Sequence, residues 1–254
     1  MMSQANGFGF EDQFLKAYLS DGIAVLRIQA DSFAALTDLA ESGRFMALFH
    51  EAEVDKQARG LLLLNQTVGF ADAEYEKFIC REEAVLGQPG QATHLKTQVI
   101  RHINILNRIV IQIADFKKVF AVGLQGSVVT PFFGASLAAD FRFASRDMFF
   151  SPAHCRHGLH PTGALPYFLP RYVGQGKAAE ILFKGEPLAA TAALELGLLT
   201  KVLPADDFEN HCVQALQPWC DLPGDVILSS KLLLNHANRI GLKRYFDTEA
   251  ALLH

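Results

Sequence analysis

The chain has 254 residues, half of them apolar and a fifth charged, with a formal net charge of −4 at neutral pH. That is enough sequence for one well-buried globular domain with a small helical appendage, and too little for two full domains. A weakly acidic balance without a long basic run gives no electrostatic reason to expect nucleic acid or an anionic membrane as partner.

In chain order, residues 22–28 (GIAVLRI) have the pattern of a strand, and residues 33–53 place Leu36, Leu39, Phe45, Leu48 and Phe49 at helical spacing. Residues 60–65 (GLLLLN) form a short apolar run of strand length, the signature of a parallel strand covered on both faces. The glycines and proline of residues 86–93 break periodicity and read as a mobile loop. Between residues 95 and 116, Val99, Ile103, Leu106, Ile109, Val110 and Ile113 recur at three or four, predicting a long amphipathic helix. It delivers the chain into a strand over 118–126. Short strands are expected at 141–145 and 148–150, helices at 177–183 and 189–196, and helix throughout after Pro204. The alternation is that of an α/β protein.

The stretch 117–204 organises the rest. A run of small and β-branched residues ends in Gly126, and Thr130-Pro131 then opens a small-residue helix, with Thr130 as the expected cap and Pro131 at the first helical position. Free N–H groups at such a helix start can stabilise a developing negative charge, which makes the junction a candidate oxyanion site. Cys80, Cys155, Cys212 and Cys220 lack a paired C-x-x-C spacing, so reduced thiols are expected. No basic start with an apolar core opens the sequence, and no apolar run approaches the ~18 residues of a membrane span, so the expected location is cytoplasmic.

Four consecutive pieces resemble the enoyl-CoA hydratase/isomerase (crotonase) superfamily: the strand through Gly126, Ala139-Asp140, Phe150 through His157-Gly158 to Pro161, and residues 169–174 (LPRYVG). The likeness continues through residues 182–187 and 192–204. It implies an α/β fold of the ClpP/crotonase type, a spiral of ββα units over residues 1–204, with a C-terminal helical trimerisation region over 205–254. It also implies a homotrimer or homohexamer, and an acyl thioester of coenzyme A as substrate. No separate cofactor is implied, because coenzyme A belongs to the substrate. Two backbone N–H groups would bind the thioester oxygen as it becomes an oxyanion, worth roughly 3 to 4 kcal/mol per donor in comparable sites.

The resemblance maps the first donor onto residues 69–72 (GFAD), hence onto Ala71, or Phe70 if the register slips. The second falls on Thr130, Pro131 and Phe132, where the family has a glycine run. Proline has no N–H, so the donor either moves to Phe132 or the hole is half built. Phe132 and Phe133 would narrow the pocket above it or belong to the core. The two glutamates that hold water in hydratases map onto Gly134 and His154, so both carboxylates are absent.

His154, His157 and His160 lie three residues apart, and an imidazole with an ordinary pKa of about 6.5 can exchange a proton at neutral pH. A metal site is disfavoured, because Gly158 and Pro161 interrupt the helix that would align three ligands. His154 is the candidate acid/base, with a structural or surface histidine as the alternative, and His157 is expected to be a buried, hydrogen-bonded residue. Asp140 is expected to end its helix and tie adjacent segments together, Asp72 to begin the helix after the 69–72 turn and cap it, and Glu74 and Glu76 to lie on a lid segment. Coenzyme phosphates would find Arg27, Lys77, Lys231, Lys243 or Arg244.

Taken together, the sequence predicts an enzyme that processes an acyl-CoA or carrier-protein-tethered thioester by oxyanion or enolate stabilisation. The resemblance implies the hydratase/isomerase group, lyase or isomerase, without the paired glutamates. The alternatives are a thioester decarboxylase or hydrolase of a polyketide-type pathway, and a non-catalytic binding subunit of the same fold.

Overall fold

The computed structural model describes residues 8–29, 33, 36, 39–65, 71–86 and 92–251. Strands β1 (Gly9–Glu11), β2 (Leu15–Ser20) and β3 (Ile23–Ile28) lead to helix α1 (Leu39–Val54), β4 (Gly60–Asn65), α2 (Asp72–Leu86) and α3 (Ala92–Asp115). The middle of the chain holds β5 (Val119–Leu124), β6 (Ser127–Val129), α4 (Thr130–Ser136), β7 (Phe141–Ser145), β8 (Phe149–Ser151) and α5 (Ala153–Arg156). Then come α6 (Leu165–Val173), α7 (Gln175–Lys184), β9 (Leu188–Ala189), α8 (Ala190–Glu195), β10 (Lys201–Leu203), α9 (Phe208–Cys220) and α10 (Gly224–Ala251).

Seven strands form one sheet in the order β1-β2-β3-β4-β5-β7-β10, antiparallel from β1 to β3 and parallel beyond. The strands β6, β8 and β9 make a second, smaller sheet. Every residue of β4 and β5 is buried, as parallel strands covered on both faces require. Alternate residues serve different cores. Leu61, Leu63, Phe120 and Val122 face Phe45, Phe49 and Ile109, while Leu62, Leu64, Val119 and Ala121 face Phe208, Cys212 and Leu216 of α9. The apolar core thus continues past residue 204, with α9 as the cover of one sheet face.

Burial pushes the Cys220 thiol up to about 12 and raises that of Cys212, so both stay protonated as apolar core groups. Among the described residues Cys155, Cys212 and Cys220 are free thiols. The predicted break at 86–93 has helical flanks, and residues 87–91 lie outside the described residues.

The end of α4 is tied to the sheet by Asp140, whose carboxylate accepts from the Phe120 N–H at 2.8 Å and from Lys231 Nζ at 2.6 Å. Lys231 also donates to the Lys118 carbonyl at 2.8 Å and is buried. Its assignment as a coenzyme contact is therefore corrected: the ammonium group holds α10 against the sheet.

Candidate active site

Four elements, α2, β6, β8 and α5, converge on the junction that the sequence singles out. The Asp72 carboxylate, at the first residue of α2, accepts from Ser127 Oγ of β6 at 3.1 Å and from Ser151 Oγ of β8 at 2.7 Å. Arg156 of α5 pairs with the same carboxylate and donates to Ser151 Oγ at 3.1 Å. Ala71, whose carbonyl accepts the Tyr75 N–H at 3.1 Å, is thereby pinned to two strands. One of them runs into Thr130 and Pro131, the other into His154. Phe70 lies outside the described residues. The network joins residues 55 and 79 positions apart, and no local sequence signal announces such pairings.

α4 begins at Thr130, one residue earlier than expected. Val129 is its cap, and no side chain bonds the free N–H groups there. The Thr130 hydroxyl is engaged elsewhere, 2.7 Å from His154 Nδ1. Pro131 occupies the first turn, and the next residue able to offer an N–H is Phe132. The Phe132 ring is buried against Phe33, with centroids 4.6 Å apart. Phe133 is fully buried and stacks on Phe150 at 4.5 Å.

His154 is 3 % exposed. Nδ1 meets Thr130, and Nε2 lies 3.3 Å from Cys155 Sγ, which itself contacts the Leu182 carbonyl at 3.1 Å. Burial holds its pKa below the usual imidazole value, a bond to the Leu182 backbone opposes this, and the charge of His160 adds to the lowering. Both ring nitrogens are thus engaged with the protein. His157 is half-buried and meets the Tyr75 ring edge-on at 5.6 Å. Among the described residues, no group of three or more His, Cys, Asp or Glu side chains is disposed to hold a metal ion.

Gly134, onto which the resemblance maps one of the two glutamates, has no room for a side chain. A Cβ there would sit 2.6 Å from the Gly163 carbonyl oxygen and 2.8 Å from Leu165 Cβ. Gly163, at a φ of +69°, itself lies so close to Pro131 that a side chain would overlap that residue's carbonyl. Main chain of the 163–165 segment thus fills the space into which a side chain at 134 would project.

The basic residues are mostly engaged. Arg27 pairs with Glu209, and Lys77 with Glu74 at 2.7 Å. Lys243 lines a cavity of about 750 Å³ with Arg171, Tyr172 and Leu234. For Arg244, the carbonyl accepts from Thr248 Oγ1 at 3.1 Å.

A family model described as enoyl-CoA hydratase/isomerase matches residues 22–254. The chain belongs to that family. A protein named probable enoyl-CoA hydratase EchA12 from Mycobacterium tuberculosis is 24 % identical over 156 residues, covering 60 % of this chain and 54 % of its own length. Enoyl-CoA delta isomerase 2 of Rattus norvegicus is 28 % identical over 153 residues, covering 59 % of this chain and 38 % of its own. The chain spans about half the length of the curated relatives it matches. In fold, it is similar to the crystal structure of enoyl-CoA hydratase from Bacillus halodurans, with a TM-score of 0.78 at 17 % identity over 94 % of this chain and 93 % of that one. The crotonase fold expected from the sequence is thereby shown.

Proposed function

We propose that this chain processes an acyl thioester, carried on coenzyme A or a carrier protein, by stabilising an oxyanion or enolate. The donors in this reading are the N–H groups of Ala71 and Phe132. The observation that carries it is the Asp72 network, which fixes the Ala71 turn to the strands leading into α4 and α5. Preorganised N–H dipoles of this kind act on charge that exists only in the transition state. With main chain filling the space beside Gly134, the paired-glutamate addition of water is not the route. Decarboxylation of a malonyl-type thioester, which also passes through an enolate, is the nearest alternative reaction.

A second reading, a non-catalytic binding subunit, is favoured by two specific features. His154 is held by protein on both nitrogens, and the Phe132 and Phe133 rings are packed into the core. Calorimetric titration with crotonyl-CoA and free coenzyme A, followed by a turnover screen over enoyl, malonyl-type and β-keto thioesters, separates the readings. Thioester binding with turnover supports the enzyme. Binding without turnover on any class supports the subunit, and no binding contradicts both.

The reading includes a trimer or its dimer, a cytoplasmic location, and no cofactor beyond the coenzyme A of the substrate. The trimer is supported by Leu232, Leu233, Leu234 and Ile240 of α10, which are exposed at 59 %, 78 %, 71 % and 67 %.

A further inference from the structure

Beside the Asp72 network, one cluster pairs a nucleophile with a base. Among the described residues Cys155 is the exposed thiol, while Cys212 and Cys220 are core groups. Its sulfur lies 3.3 Å from His154 Nε2 and 3.1 Å from the Leu182 carbonyl, to which the thiol donates. The imidazole is in turn held at Nδ1 by the Thr130 hydroxyl at 2.7 Å. A nucleophile within reach of a base, and a base oriented by a third group, is the arrangement that activates serine and cysteine side chains.

The base is buried and the nucleophile is open. His154 and Thr130 lie in the interior, so the ring is held in one orientation, whereas Cys155 is exposed. Gly185 stands beside it. A Cβ there would come 3.1 Å from Cys155 Cβ and 3.5 Å from Sγ, so the glycine, at a φ of +69°, leaves that side of the thiol uncovered. Leu182 belongs to the last turn of α7, where carbonyls lack a helical partner and can accept from a side chain. With the Nδ1 proton donated to Thr130 Oγ1, Nε2 turns its lone pair to the thiol. Burial holds the His154 pKa below its ordinary value, so the ring is uncharged at neutral pH and able to accept a proton.

We propose that Cys155 is a base-activated thiol, with His154 as its base and Thr130 as the positioning residue, that exchanges with small disulfides and carries a reversible mixed disulfide. The exchange involves no thioester and is independent of the reading above. In the step, the Sγ–H proton passes to His154 Nε2, and the sulfur lone pair forms a bond to one sulfur of the disulfide. The old S–S bond breaks. Its electron pair leaves with the second sulfur as a thiolate, to which the His154 proton returns, so Cys155 is oxidised and the small disulfide is reduced. The Leu182 carbonyl, which loses the S–H, is in place to accept the transient Nε2–H. An excess of small thiol reverses the exchange.

The test uses the full chain at neutral pH with the aromatic disulfide dithiobis(nitrobenzoate), release of the aromatic thiol being followed by absorbance and the labelled cysteine assigned by peptide mass mapping. N-acetylcysteine is the reference. A free thiol is only a few per cent ionised at neutral pH, so base assistance is expected to make Cys155 react about tenfold or more faster than the reference. His154→Ala is expected to bring Cys155 down to about the rate of the reference. Thr130→Val is expected to slow the reaction, and Thr130→Ser, which keeps the hydroxyl, to retain the wild-type rate. A role in packing alone would give the opposite order, because valine keeps the shape of threonine. Labelling of the buried Cys212 and Cys220 marks a variant that has unfolded. If His154→Ala is one, the Thr130 pair and the wild-type rate decide. Glutathione disulfide is expected to leave one adduct, on Cys155, that dithiothreitol removes. The proposal is overturned if Cys155 reacts no faster than N-acetylcysteine, if folded His154→Ala keeps the wild-type rate, if the two Thr130 variants react alike, or if glutathione disulfide leaves no adduct.

Discussion

Thr130 Oγ1 lies 2.7 Å from His154 Nδ1, and both side chains are buried. The bond links the first residue of α4 to α5, two elements that follow different strands of the small sheet. It also explains why Thr130 does not cap its own helix. A hydroxyl donating to or accepting from an imidazole in the interior is not free to reach back to the helix N–H groups.

Thr130→Val keeps the shape and removes the partner, leaving a buried ring nitrogen unsatisfied. The expected loss of stability is about 1 to 3 kcal/mol, measured by urea denaturation. A loss below about 0.5 kcal/mol would show that the pair contributes little. Because burial lowers the folded-state pKa of His154, its contribution is fully present above the unfolded imidazole pKa of about 6.5 and is lost as pH falls through the folded value. His154→Ala should abolish that part of the pH dependence.

Restoring a carboxylate at position 134 should not restore hydration. Gly134→Glu forces a side chain into the carbonyl of Gly163, and even Gly134→Ala places Cβ 2.6 Å from that oxygen. Overpacking of this kind costs about 1 to 3 kcal/mol, so both variants should melt lower than wild type. Neither should gain water addition to crotonyl-CoA. An unchanged melting temperature in Gly134→Ala would mean that the 163–165 segment moves aside freely.

Wild-type turnover in hydrating crotonyl-CoA should lie several powers of ten below that of a two-glutamate hydratase, each power being about 1.4 kcal/mol of transition-state free energy. A spectrophotometric assay at the enoyl thioester band decides this. Activity within about tenfold of such an enzyme would mean that water is oriented by groups other than the missing pair.

Much of the fold could be read from periodicity, because the sheet is parallel and covered on both faces. The runs at 22–28, 60–65 and 118–126 are continuous apolar segments whose neighbours are set by that burial, and they form β3, β4 and β5. The antiparallel strands β1 and β2 escaped notice because only alternate residues of β2 reach the core, as Leu15 and Ala17 do. The site was less legible. At position 134 the space for a side chain is closed by the backbone of residue 163, twenty-nine positions on, which no spacing rule predicts. Asp72, Ser127, Ser151 and Arg156 meet only through the smaller sheet.

The exposed leucines of α10 provide a test of assembly. Sedimentation at micromolar concentration should give a trimer or a dimer of trimers. Leu233→Asp with Ile240→Asp should shift it towards monomer while leaving the monomer's circular dichroism unchanged, since both side chains are mostly exposed. A wild-type monomer would contradict the assembly.

In the thioester reading, N–H groups at the Ala71 turn and the start of α4 polarise a thioester carbonyl. The direct measurement is the carbon-13 resonance of butyryl-CoA labelled at its carbonyl carbon, free and bound to the chain. A downfield shift is expected on binding, because donors that draw electron density onto oxygen leave the carbon more positive. A bound ligand whose carbonyl resonance stays at its free position would contradict it.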